Sequence, residues 1–62
     1  MIDKSFETIE QGLEKLKDGV EIRNKMGGAM FWNIVNEDCI EMADKLFSMG
    51  VEKAELNSIL KS

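Results

Sequence analysis

The sequence predicts an all-α fold, a small three-helix domain built on an antiparallel helical hairpin. Three observations predict it. Apolar residues recur at three- and four-residue steps through most of the chain. Glycines at Gly27-Gly28 and at Gly50 divide that pattern into three segments, and no proline interrupts any of them.

The first segment spans about 5–22. Ile2, Phe6, Ile9, Leu13, Leu16 and Val20 follow one another at steps of four and three, close to a heptad seam. Asp3 or Ser5 is placed to cap its start. Gly12 and Gly19 each weaken such a helix by roughly 1 kcal/mol relative to alanine. Gly12 is read first as a tolerated surface glycine and second as a point where another helix comes close. Lys15, Lys17, Arg23 and Lys25 are interspersed with Glu14, Asp18 and Glu21, which describes a solvated helix face with a supporting Glu21–Lys25 pair.

Gly27-Gly28 is the clearest break in the chain and reads as a turn between helices. An α/β alternative makes Gly19 the stop and folds residues 20–35 into a β-hairpin, since Val20 and Ile22 alternate with polar residues. The second helix is expected over about 29–49. Phe31, Val35, Cys39, Met42, Leu46 and Met49 form its stripe, widened by Met30, Ile34, Ala43 and Phe47. Asn36-Glu37-Asp38 is a possible restart or bend. Gly50 suits the residue after a last helical turn. A short third helix, about 52–60, then docks Val51, Leu56, Ile59 and Leu60 into the groove between the first two. Glu52 and Glu55 near its start and Lys61 near its end suit the helix dipole.

At 62 residues, the whole of 1–62 is one domain with a small core. Cys39 is the single cysteine and histidine is absent, so neither a disulfide nor a Cys/His zinc site supplies stability within the chain. Self-association is the expected remedy, with a homodimer favoured. Twelve acids against eight bases give a net charge of −4. That balance disfavours general nucleic-acid binding and tight attachment to anionic lipid. Residues 1–7 hold no basic stretch and no apolar run spans a membrane, so a cytoplasmic setting is expected.

The expected function is a small non-catalytic protein-binding module, a regulator or inhibitor acting through a hydrophobic and acidic helical surface. Met26, Met30, Phe31, Trp32, Met42, Phe47 and Met49 are many large groups for one small core. Met30, Phe31, Trp32, Val35 and Phe47 are the expected interface, with Phe31 and Trp32 as anchors. A first alternative is a minimal DNA-binding regulator. It would use a helix-turn-helix-like segment over 41–61 with Lys53, Asn57 and Lys61 outward, although Glu52 and Glu55 beside them repel phosphate. A second alternative is a purely structural oligomerisation element.

Glu37, Asp38, Glu41 and Asp44 read as a solvated acidic face, or else as a mimic of nucleic acid on a basic partner. Cys39 reads as a buried, inert thiol. No nucleophile–base pair, phosphate loop or calcium loop occurs, so neither catalysis nor a cofactor or metal is expected.

Overall fold

A computed structural model describes residues 3–25 and 27–62. They form three helices, α1 (Ile9–Lys25), α2 (Ala29–Ser48) and α3 (Lys53–Lys61), in one compact all-α domain. Ile2 and Met26, assigned above to the apolar face and surface, lie outside the described residues.

Helix α1 starts at Ile9, four residues later than expected, because the cap is neither Asp3 nor Ser5. Thr8 Oγ1 accepts the backbone N–H of Gln11 at 3.1 Å, and Gln11 Oε1 accepts the N–H of Glu7 at 3.2 Å. Thr-x-x-Gln is a capping-box sequence, with the glutamine reaching one residue further back than usual. Asp3 instead accepts the N–H of Ser5 at 3.0 Å in a local turn. Phe6 therefore belongs to an irregular strap, residues 3–8, and not to the helix. Its ring is nonetheless buried in the core.

The ring of Phe6 explains Gly12. A Cβ at position 12 would lie 2.5 Å from Phe6 Cε2 and 2.6 Å from Leu46 Cδ2. Gly12 is buried, so the surface reading of this glycine does not hold and the close approach does. Here the start of α1, the strap and the end of α2 meet.

Helix α2 runs unbroken through Asn36, which caps nothing. At its start Gly28 adopts φ +94°, a conformation that favours glycine. Its end is a Schellman motif: Gly50 at φ +110° donates to Phe47 O, and Val51 donates to Leu46 O, at 3.1 and 3.0 Å. Leu46 and Val51 are both buried, which adds the apolar contact that accompanies this motif. Helix α3 starts at Lys53, after Glu52 in extended conformation with no side-chain cap.

The β-hairpin alternative for 20–35 does not form. The described residues on both sides of the connection are helical. Val20 packs in the core while Ile22, two residues on, is exposed, because a helix turns about 200° in two steps. The core comprises Phe6 from the strap, Leu16 and Val20 from α1, and Val35, Cys39, Met42, Ala43 and Leu46 from α2. Val51 and Leu56 complete it, with Leu13, Met49, Ile59 and Leu60 at its edges.

Two charged residues are buried beside that core, Arg23 and Asp38. Arg23, the single arginine of the chain, was expected on a solvated face and is 5% exposed. It follows Leu16 and Val20 on the inward face of α1. Its Nε donates to Asn24 Oδ1 at 3.0 Å, Nη1 to Asn36 Oδ1 at 2.8 Å and Nη2 to Leu60 O at 2.8 Å. The guanidinium also lies 4.9 Å from the ring centroid of Trp32, a cation–π distance. These contacts join all three helices at one point.

Two stability outcomes follow in urea denaturation read by circular dichroism. Gly12→Ala lowers stability by about 1–2 kcal/mol, because overpacking outweighs the helix propensity that alanine adds. Gly27→Ala, where a Cβ meets open space, changes little by comparison. Arg23→Lys keeps the charge but loses the planar fork, and should cost about 1–3 kcal/mol through the acceptors left unpaired. An unchanged midpoint for Arg23→Lys would show that the three contacts contribute nothing.

Candidate functional site

Helix geometry places residues i, i+3, i+4 and i+7 on one face. On α1 that set is Lys15, Asp18, Gly19 and Ile22; on α2 it is Phe31, Ile34, Val35 and Asp38. The two faces line a groove of about 550 Å³, closed at one end by Asp3 of the strap. Gly19 contributes no side chain and Val35 is buried, so together they form the floor. Ile22, Phe31 and Ile34 are each about two-fifths exposed and form the walls. The lining is thus apolar with a few charged groups at its rim, the usual composition of a recognition groove.

The rim carries three carboxylates, Asp3, Asp18 and Asp38, and one ammonium, Lys15. Lys15 Nζ pairs with Asp3 Oδ2 at 2.9 Å and also donates to Ser5 O. Its hydrogen bond, with the N–H of Ser5, holds the Asp3 carboxyl down at about 2. Asp3 therefore contributes stability above its ordinary pKa, near 4, and loses it as pH falls through about 2. Lys4 Nζ reaches Glu41 at 2.8 Å and Asp38 at 3.2 Å, and these two carboxylates, Glu41 first, raise its pKa. Lys45 donates to Phe6 O at 2.7 Å and lies 4.4 Å from the centre of the Phe6 ring. Three lysines thus pin the strap that ends the groove. Asp18 has no ion-pair partner among the described residues.

The five interface residues expected from sequence do not form one patch. Phe31 and Val35 belong to the groove, as a wall and as the floor. Trp32, 39% exposed, turns away from it to lie against Arg23. Met30 is 78% exposed near the start of α2 and lines neither groove. Phe47 sits on the opposite shoulder of α2, in a smaller groove of about 310 Å³ shared with α3. Lys53 and Asn57, named above for nucleic-acid contact, line that smaller groove too, with Lys53 Nζ 5.5 Å from the Phe47 ring centre; Lys61 is exposed at the end of α3.

Sequence reasoning missed Ile22 and Ile40 as surface groups. The signal was present in both cases: Ile22 completes the i, i+3, i+4, i+7 set from Lys15, and Ile40 lies seven residues before Phe47. The acidic quartet is divided as well. Asp38 is buried and shares Lys4 with the exposed Glu41, while Glu37 and Asp44 are exposed and have no ion-pair partner among the described residues.

Among the described residues, no group of His, Cys, Asp and Glu side chains is arranged to hold a metal ion, and no helix is long and apolar enough to cross a membrane. Cys39 is buried, and that burial raises its thiol pKa against the opposing field of Arg23. No protein-family model matches the chain, and neither a curated protein nor a solved structure matches it significantly.

The thiol offers a direct check on the core. Cys39 in the native protein at pH 8 should react with a disulfide reagent at least a hundredfold more slowly than in urea. Comparable rates in the two conditions would place it at the surface.

Proposed function

We propose that the protein is a small, non-catalytic protein-binding module, a regulator or inhibitor. It receives an apolar helical segment of a partner between α1 and α2, and it also self-associates. The observation that carries the first part is the pair of matched helix faces with Ile22, Phe31 and Ile34 left exposed along a groove. A helix laid in such a groove uses side chains at i, i+3, i+4 and i+7 as anchors, which is the spacing the walls themselves follow.

The rim supports a preference among partners. Asp3 is paired with Lys15 and Asp38 with Lys4, which leaves Asp18 as the lining carboxylate without an ion-pair partner among the described residues. Asp18 favours a segment with Lys or Arg beside its apolar anchors. Position within the fold supports the site as well. Both walls are built on helices, and the strap at the groove's end is fixed by ion pairs, so little ordering is needed on binding.

The test uses the tagged full chain as bait in an extract of its native cells, beside Ile34→Glu and Glu10→Lys variants that keep the wild-type helical signal. A protein retained by the wild type and by Glu10→Lys but lost by Ile34→Glu is the expected outcome. With that protein purified, Phe31→Ala should weaken binding by roughly thirtyfold, the size of an interface anchor of about 2 kcal/mol. Equal retention by the wild type and Ile34→Glu would overturn the groove as the binding site.

A further inference from the structure

The strap at the end of the groove is tied down by side chains alone. Among the described residues, no backbone–backbone hydrogen bond joins residues 3–7 to any of the three helices. Lys15 and Lys45 donate to the carbonyls of Ser5 and Phe6, and Gln11 Oε1 accepts the N–H of Glu7. Ion pairs of Asp3 with Lys15, and of Lys4 with Asp38 and Glu41, complete the attachment. Phe6 is the single buried side chain of the strap, and residues 3–5, 7 and 8 are exposed.

The seat of the Phe6 ring lies in line with the groove. Gly12 and Gly19 are both buried on α1 and stand seven residues apart, two turns of the helix. The Phe6 ring covers the first, and the second floors the open groove. Lys15, between them in sequence, holds Asp3 at the groove's end. One trough along α1 is therefore half filled by the strap and half open.

We propose that the strap is a latch on this trough. Residues 3–8 swing out as a unit about the start of α1 while the three helices stay folded. Opening gives up one buried ring and a few weak pairs, whereas global unfolding exposes the whole core. It removes Asp3 from the groove's end and empties the seat over Gly12. The trough then lengthens by about two turns, roughly 10 Å, and accepts a longer segment with an apolar side chain where Phe6 lay. That consequence for binding rests on the groove as the partner site; the opening itself does not.

Chymotrypsin acting on the native full chain, with first cuts located by mass spectrometry, tests the latch without a partner. The bond after Phe6 should be cut about tenfold or more slowly than in a peptide of residues 3–12, because the seated ring is protected. It should still be cut about tenfold or more faster than the bond after Phe47 in α2, with little dependence on urea below the unfolding midpoint. Lys15→Met, which loosens the strap, should speed the Phe6 cut about threefold. Arg23→Lys, at the far end of the fold, should speed the Phe47 cut and leave the Phe6 cut unchanged. Equal rates and equal urea dependence at the two bonds would show that the strap leaves only when the whole domain unfolds. A Phe6 cut as fast as in the peptide would show that nothing is latched; either result overturns the proposal. For the emptied seat, toluene is the probe. In Phe6→Ala with the wild-type helical signal, it should shift the Leu46 methyl resonances, and unmoved resonances would overturn the lengthened trough.

Discussion

The Arg23 guanidinium is the constraint around which the three helices are arranged. A buried cation is costly unless its hydrogen bonds are satisfied. Arg23 meets that condition without an ion pair among the described residues. Its acceptors are two amide oxygens, on Asn24 and Asn36, and the carbonyl of Leu60, with the face of Trp32 as a fourth contact. Leu60 lies in the last turn of α3, where carbonyls lack helical partners and carry the negative end of the helix dipole. The same arginine thus caps α3, positions α2 through Asn36 and fixes the ring of Trp32. Beside it, Asn24 Nδ2 donates to Ser62 O at 2.6 Å, a second tie between the ends of α1 and α3.

A second assembly holds the opposite end of the fold. Where α1 begins, Phe6 folds back over Gly12 and meets Leu46, and Lys4, Lys15 and Lys45 bind the strap to both helices. Apart from the buried Asp38 carboxylate, the ion-paired groups there are exposed, and such pairs are individually weak. Their effect is to keep Phe6 in place, and the buried ring supplies the larger share of the stabilisation. A chain of this size has no disulfide to restrain it, and these two clusters, one at each end of the α1–α2 pair, provide the restraint.

The helices were legible because glycine and periodicity agree. Gly27-Gly28 and Gly50 mark the two breaks, and both Gly28 and Gly50 adopt the positive φ that such positions require. The stripe Val35, Cys39, Met42 and Leu46 is buried as its spacing implies. The errors have a common cause, which is that residue chemistry outweighed position. Arg23 continues the inward face after Val20, yet its charge assigned it to solvent. Thr8 and Gln11 hold the capping spacing, but Asp3 and Ser5 were nearer the expected start. Of the candidate site, Phe31 was visible as a surplus apolar group on α2, and Ile34 only as part of the widened stripe. The groove itself was not, because it needs Ile22 and Gly19 from a second helix, and the pairing of two helix faces is a property of packing rather than of either segment alone.

Three of the surplus large apolar groups have destinations outside the core: Phe31 is a groove wall, Trp32 a lid on Arg23 and Phe47 a ridge beside α3, while Met42 lies in the core and Met30 stays exposed. The place of Trp32 makes its environment a report on the arginine. The most direct measurement is the nuclear magnetic resonance spectrum of the Arg23 guanidinium, unambiguous because the chain holds one arginine. A satisfied, buried guanidinium should give separate, slowly exchanging Nη protons with through-space contacts to the Trp32 ring. A single averaged signal exchanging with water at the rate of an unfolded peptide would contradict the central place given to Arg23.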